Sequence, residues 1–152
     1  MSYLLTTVTP GSPVFPETAA LFDEYRIHYG QPTDPATTTE WLSTQLTEGT
    51  LNLTTALYDG RPTGFITTVR LPASLRLGTI CSIRDLYVTP ASRHTGTARA
   101  LLTQVITEAR AAGALRVSLQ TEPQNSAALA LYTSMGFHQV HDLTTLNLLL
   151  TE

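Results

Sequence analysis

The most regular hydrophobic pattern in the chain lies between Ala98 and Ala109, where apolar residues recur at steps of three and four. This spacing predicts an amphipathic helix that begins near Gly96. Residues 83–88 read as a strand, and Pro90 ends it because proline cannot donate to a ladder. A polar loop at 92–95 joins strand to helix. Because a helix N-terminus presents unpaired backbone N–H groups, this stretch predicts an anion site.

The rest of the chain predicts further strands and helices in a single domain, residues 1–152. Alternation and turn signals predict strands at 3–8, 51–57, 62–71, 79–88 and 115–121, and two closing strands at 137–140 and 143–150. Three further helices are predicted. The first spans 17–29, the second runs from a cap at Thr38 or Thr39 to Gly49, and the third spans 123–135. The strand–helix–strand run from 79 to 121 predicts a βαβ unit with parallel strands.

Alternation along the strand at 79–88 makes a second prediction, about its two faces. Ile83, Asp85 and Tyr87 should share one face of the sheet. Arg84, Leu86 and Val88 should lie on the other.

Composition narrows the class of protein. The nine basic residues are all arginines, the net charge is −3 and no basic cluster occurs, which argues against nucleic-acid binding. One cysteine excludes an intramolecular disulfide, and there is neither a long apolar run nor an export leader. The four histidines lack metal-site spacing, so we expect no metal. These features predict a cytoplasmic protein without membrane contact.

Two motifs resemble the signatures of the GCN5-related N-acetyltransferase (GNAT) superfamily. Arg-His-Thr-Gly-Thr-Ala at 93–98 fits its R/Q-x-x-G-x-G/A pattern and follows a strand ending in Val-Thr-Pro. The segment 125–137 is similar to N-x-x-A-x-x-L-Y-x-x-x-G-F. Because both occur in the right order and separation, the chain is identified as a member, of a bacterial small-molecule type. The resemblance is good from about residue 79 to residue 140 and looser in the N-terminal part.

The resemblance implies an α/β (α+β) fold with a mixed, mostly antiparallel sheet of about six or seven strands, flanked by about four helices. The parallel strands 79–88 and 115–121 would splay apart at the centre, commonly with a bulge in the first. Acetyl-CoA would enter as cosubstrate, with its pantetheine arm in the gap. The cofactor-binding residues implied are the main chain of Leu86, Tyr87 and Val88, the loop residues Arg93, His94, Thr95, Gly96, Thr97 and Ala98, the nearby Arg99, and Asn125 and Ala128 at the second signature.

The expected chemistry is attack of a neutral amine on the thioester, which needs a base because an alkyl amine has a pKa near about 10. By resemblance, Tyr132 would donate a proton to the sulfur. Asp85 is the first candidate for general base or amine anchor, although a structural ion pair is an equal alternative. Glu122 is the second candidate, and deprotonation through water remains open. Tyr25 and Tyr29 share a helix face and would either wall the acceptor pocket or serve packing.

The sequence leaves the donor and partners open. His94 and Thr95 stand where many relatives carry glycine and a basic residue, which suits a donor arm on an acyl carrier protein as an alternative to free CoA. A non-catalytic acyl-CoA-binding regulatory module is a further alternative. The expected acceptor is a small-molecule amine rather than a peptide. Relatives also commonly form a homodimer through the C-terminal strands, so a homodimer is one expectation and the oligomeric state stays open.

Overall fold

A computed structural model describes residues 3–151. The chain divides into two compact units, one up to Gln120 and one from Thr121 onward, and each is described by itself. The first unit holds a five-stranded sheet and three of the four α-helices. In chain order the elements are β1 Tyr3–Thr7, α1 Phe15–His28, α2 Pro35–Glu48, β2 Asn52–Tyr58, β3 Arg61–Ala73, β4 Gly78–Val88, α3 Thr97–Ala111, β5 Val117–Ser118 and, in the second unit, α4 Ser126–Ser134.

The sheet has the simple order β1-β2-β3-β4-β5. The first four strands pair antiparallel, and β4 and β5 pair parallel, as the βαβ pattern predicts. This is the mixed, mostly antiparallel architecture expected of the GNAT fold. The prediction of six or seven strands is too high for the described residues.

A β-bulge in β4 changes which side chains share a face. Thr67 pairs with Asp85 and the next residue, Thr68, pairs with Ile83, so Arg84 is an extra residue in β4. Ile83 therefore lies on the opposite face from Asp85, and the prediction that they share a face is wrong. Simple alternation fails because a bulge shifts its phase by one residue.

Helices cover both faces of the sheet. On one face, α1 and α2 pack over a core that includes Phe22, Leu42, Leu53 and Phe65. On the other face, α3 packs against β2, β3 and β4 through its buried stripe, which includes Leu101, Leu102 and Val105. The predicted apolar face of this helix is confirmed.

The connection between α1 and α2 is organised by Asp23, which is almost fully buried. Its carboxylate accepts hydrogen bonds from Arg26, Thr33, Thr38 and the backbone N–H of Asp34. These donors hold the pKa of Asp23 down at about 2, with the Thr33 hydroxyl as the largest cause.

The second helix begins earlier than its sequence suggests. It starts at Pro35, and the side chain of Asp34 caps it by accepting from the N–H of Thr37 at 3.2 Å. The prediction of a cap at Thr38 or Thr39 is wrong, because Thr38 is buried against Asp23.

The second unit contains α4 and a long C-terminal segment. Within the described residues, neither 137–140 nor 143–150 forms a strand, so both predicted closing strands are wrong. The apolar pattern is there, but a strand also needs a ladder partner. All five leucines of this segment are largely exposed: Leu143, Leu146, Leu148, Leu149 and Leu150. Of the helices in residues 3–151, none is long and apolar enough to cross a membrane.

Candidate active site

The parallel strands β4 and β5 separate soon after they meet. They pair only at Cys81–Val117 and Ser82–Ser118, so β5 is two residues long instead of the seven predicted at 115–121. A cavity of about 270 Å³ opens where they part, lined by Ser82, Ile83, Arg84, Ser118, Leu119 and Gln120. The splayed pair and the bulge expected from the resemblance are both confirmed. A larger hollow of about 610 Å³ beside Pro10 and α2 has none of the predicted site residues in its lining.

The loop after β4 has the backbone geometry of an anion site. His94 and Gly96 both adopt positive φ, at 62° and 85°. Glycine suits position 96 because it adopts positive φ without steric cost. His94 is a non-glycine residue in the same left-handed region. No described side chain caps the N-terminus of α3, so its first N–H groups remain directed out of the helix. The backbone from 94 to 98 can therefore bind a phosphate.

Arg93 is held against the end of β4. Its Nε donates to the carbonyl oxygen of Val88 at 3.1 Å, and its guanidinium lies 5.8 Å from the ring centroid of Tyr87. These contacts fix the loop to the strand and leave a positive charge beside the loop backbone.

Threonine side chains brace the same loop from within. Thr95 donates to the carbonyl of Ser92, and its hydroxyl lies 2.9 Å from that of Thr97. Thr97 is buried, so its contribution to a ligand is through its backbone, whereas Arg99 is exposed on the first turn of α3 and Ala98 is half-buried.

Asp85 is held by two hydroxyl groups from different elements. Tyr25 of α1 donates to one carboxylate oxygen at 2.7 Å, and Thr67 of β3 donates to the other. An ionised carboxylate has about four acceptor positions, so each oxygen can accept a further hydrogen bond. Burial raises the pKa of Tyr25, and the hydrogen bond to Asp85 raises it further, so this hydroxyl stays protonated and keeps donating. No arginine pairs with Asp85 among the described ion pairs.

Tyr25 also stands at the centre of an aromatic cluster. Its ring centroid lies 5.2 Å from that of Tyr29, 5.5 Å from Phe65 and 5.7 Å from Tyr87. The two tyrosines that the sequence places on one helix face therefore do touch, and Tyr25 lies beside Asp85.

The second unit holds the remaining predicted residues. Asn125 caps α4 by accepting from the N–H of Ala128 at 3.3 Å. The ring of Tyr132 packs on Phe137, with centroids 5.8 Å apart. Glu122 is exposed and accepts from the side chain of Gln124 at 3.3 Å.

Three residues of the site are absent from the sequence predictions. Thr67 is one, as the second donor to Asp85. Gly64 is another: a Cβ there would lie 2.8 Å from the Tyr87 carbonyl oxygen, so only glycine lets β3 approach this end of β4. A glycine inside a strand is a known sign of close backbone approach, so this signal in the sequence could have identified Gly64. Trp41, whose ring lies 6.2 Å from Phe22, is the third.

Within residues 3–151, no three histidine, cysteine or acidic side chains come together as a metal-ligand set. The groups that the site does present are a positioned carboxylate, hydroxyl groups and backbone N–H donors.

Comparison with known proteins agrees with this geometry. Residues 16–137 match the model of the acetyltransferase (GNAT) family. The Bacillus subtilis (strain 168) protein YhfO, an uncharacterized N-acetyltransferase, is 30% identical over 121 residues, which are 80% of this chain and 81% of YhfO. A solved structure described as a probable acetyltransferase is 26% identical, with a TM-score of 0.91 over 98% of this chain and 99% of that one.

A more distant solved structure shares the fold alone. It is the aminoglycoside acetyltransferase meta-AAC0020 from an uncultured soil sample, 19% identical, with a TM-score of 0.78 over 95% of this chain and 97% of that one. The family model covers most of the chain, and both signature motifs lie within the matched range. This chain therefore belongs to the GNAT family and is an N-acetyltransferase.

Proposed function

We propose that this enzyme transfers the acetyl group of acetyl-CoA to the amine of a small molecule, by direct attack through a tetrahedral intermediate. The observation that carries the proposal is the Asp85 carboxylate, oriented by Tyr25 and Thr67 on the bulged strand that borders the gap. A carboxylate fixed by neutral hydroxyl donors, with acceptor positions left over, suits an incoming ammonium group.

The donor side is supported by the loop and the strand edge. Beyond Ser82, β4 has no ladder partner on its β5 side among the described residues, which supports binding of pantetheine along the main chain of Leu86 to Val88. The Val88 carbonyl oxygen also accepts a hydrogen bond from Arg93. The backbone of residues 94–98 and the uncapped start of α3 suit the pyrophosphate. Arg93 and Arg99 add positive charge, and Asn125 with Ala128 is the further contact that the family implies.

The proposed reaction begins with the ammonium group bound at Asp85. Asp85 takes the proton, directly or through water, and the amine lone pair attacks the thioester carbon. The oxygen gains negative charge, which a backbone N–H of β4 near Tyr87 stabilises. The C–S bond then breaks and an amide forms. The excess proton on nitrogen passes to solvent.

Tyr132 is proposed to protonate the departing CoA thiolate. It is the tyrosine of the second signature, and a thiolate whose thiol has a pKa near about 8.5 is a better leaving group when a proton is supplied. Glu122 is proposed as an alternative proton acceptor, because its carboxylate is exposed and able to exchange protons with water.

The test measures release of free thiol with a panel of amines and two donors: acetyl-CoA, and acetyl-pantetheine on an acyl carrier protein. We expect amine-dependent thiol release with acetyl-CoA and an acetylated amine of matching amount by mass spectrometry. Thiol release only with the carrier-bound donor would show that the donor is an acyl carrier protein and not free acetyl-CoA. The carrier-bound donor is tested because the loop at His94 and Thr95 is only weakly basic. Binding of acetyl-CoA without transfer to any amine would contradict the proposed acceptor class.

A further inference from the structure

The rings around Asp85 define the kind of acceptor that fits this site. We propose that the acceptor is a primary amine with a single positive charge on an aromatic or flat apolar body. Asp85 binds its ammonium group, and the aromatic surface formed by Phe22, Tyr25, Tyr29 and Trp41 binds its body. This inference rests on the proposed function, since it names the substrate class of the same site.

The aromatic surface is continuous. From Tyr25, whose hydroxyl reaches Asp85, ring contacts lead to Tyr29 at 5.2 Å and to Phe22 at 5.4 Å between centroids. Phe22 then contacts Trp41 at 6.2 Å. Rings within such distances interact favourably and bind further aromatic groups in the same edge-to-face or offset manner. Tyr25, the ring that contacts Asp85, therefore connects this carboxylate through ring contacts to both Tyr29 and Trp41.

Burial divides these rings into a floor and a rim. Phe22 is 6% exposed, and Phe65 and Tyr87 beneath Tyr25 are also buried. Tyr29 and Trp41, in contrast, are 52% and 48% exposed. Packing explains the buried rings, but it does not explain two large exposed rings at the end of the same network. Ligand sites commonly combine apolar walls with a few convergent polar groups, as this surface does with Asp85.

The charges in this region suit one cationic group rather than several. Asp23 lies on α1, but its carboxylate accepts four hydrogen bonds from its own loop and the start of α2. Burial is the largest cause of the raised pKa of Tyr87; Glu24, which hydrogen-bonds to this tyrosine, also raises that pKa, whereas Arg93 lowers it. Among these carboxylates, Asp85 is the one that hydrogen-bonds to Tyr25, the ring from which the exposed rings extend. A polyamine or an aminoglycoside carries several ammonium groups, and each would need a partner when it leaves water.

The experiment compares 2-phenylethylamine, n-butylamine and spermidine as acceptors, with wild-type enzyme and with Tyr29→Ala and Trp41→Ala. Tyr3→Ala is the matched control, because Tyr3 is a similarly exposed tyrosine on β1. We expect the highest kcat/KM with 2-phenylethylamine. Each rim variant should raise the KM for this amine about three- to tenfold, as expected for loss of one ring contact. It should raise the KM for n-butylamine less than the KM for 2-phenylethylamine, and it should leave the KM for acetyl-CoA within about twofold.

A binding measurement without donor separates this inference from the proposed function. Trp41 is the only tryptophan in the chain, so its fluorescence reports a ligand on the rim. Titration with 2-phenylethylamine should change this fluorescence at lower concentration than n-butylamine, and Asp85→Asn should weaken the binding. If 2-phenylethylamine binds in this way but is not acetylated, the result supports the inferred ligand class and contradicts the proposed reaction. Preferred acetylation of spermidine, or rim variants that affect all amines equally, would overturn the inference and leave the reaction intact.

Discussion

The hydroxyl of Tyr25 donates a hydrogen bond of 2.7 Å to the carboxylate of Asp85, sixty positions later in the chain. This bond joins the first helix, on the proposed acceptor side, to the bulged strand beside the proposed donor site. A hydrogen bond to a charged group contributes about 1.5–3 kcal/mol, and this one is partly screened because Tyr25 is only half-buried. Its main consequence is orientation: the carboxylate is fixed before any ligand arrives.

Replacing Asp85 by Asn should lower kcat/KM for the amine about 10²- to 10³-fold, because the amide cannot take the amine's proton. Asn keeps the size and one acceptor oxygen, so Tyr25 and Thr67 retain a polar partner and the fold should persist. Steady-state kinetics with acetyl-CoA held saturating would measure the loss. Asp59→Asn, in the β2–β3 turn, is the control, because Asn also tolerates its positive φ of 48°. Equal activity of Asp85→Asn and wild type would show that Asp85 is not the proton acceptor.

Tyr132→Phe should lower kcat about 10- to 100-fold, since the thiolate would leave without a proton from the enzyme. The ring and its contact with Phe137 remain, so acetyl-CoA affinity should change little. Calorimetric titration with CoA and kcat on the same preparation would separate the two effects. Tyr3→Phe serves as control for loss of a tyrosine hydroxyl. A variant that loses CoA binding in parallel with kcat would indicate a packing role instead.

Asp23 should make stability depend on pH in the acidic range. Its pKa falls from the ordinary 3.8 to about 2 in the folded chain. The ionised form is therefore stabilised by folding, and this contribution is fully present above about pH 4 and is lost as the pH falls towards 2. Thermal unfolding of wild type and Asp23→Asn should show the largest difference in Tm near neutral pH and a smaller one near pH 2.5. A difference that does not change with pH would contradict this.

Gly64→Ala should destabilise the end of β4. The added methyl group would lie 2.8 Å from the Tyr87 carbonyl oxygen and 3.2 Å from a Val88 methyl group, and backbone cannot move away as a flexible side chain can. Overpacking of this kind costs about 1–3 kcal/mol. We expect a lower denaturant midpoint and a raised KM for acetyl-CoA. Gly11→Ala is the matched control, because nothing lies within 4 Å of its added methyl group, and it should be neutral.

The exposed C-terminal leucines support the expected homodimer. Leu146 and Leu148 are 89% and 86% exposed, and apolar surface of this extent is typical of a segment that meets a partner. Light scattering after size exclusion should report a dimer for wild type and a monomer for the double variant Leu146→Asp/Leu148→Asp. Leu75→Asp changes an equally exposed leucine on the β3–β4 connection and should leave the dimer unchanged. A monomeric wild-type protein would contradict the expected homodimer.

The motifs allowed much of the donor side to be predicted from sequence. Spacing and turn residues are local properties, so the helix from Thr97, the loop with Gly96 and the parallel pair could all be predicted from the chain itself. The two signature motifs then supplied the family. The extent of β5 and the absence of closing strands could not be predicted, because a strand needs a partner and the apolar pattern of one segment does not reveal whether a partner lies beside it.

Sequence alone thus determined the family, the loop between β4 and α3, and the candidates Asp85, Tyr25 and Tyr132. Only the tertiary structure decided that Tyr25 and Thr67 hold Asp85, because these residues come from three separate elements. It also decided that the bulge at Arg84 puts Ile83 and Asp85 on opposite faces, since a bulge is defined by pairing between two strands. The periodicity of apolar residues is a property of one segment of the chain and can be read from its sequence. A shared hydrogen bond or a register shift exists only between segments, and packing of the whole fold decides both.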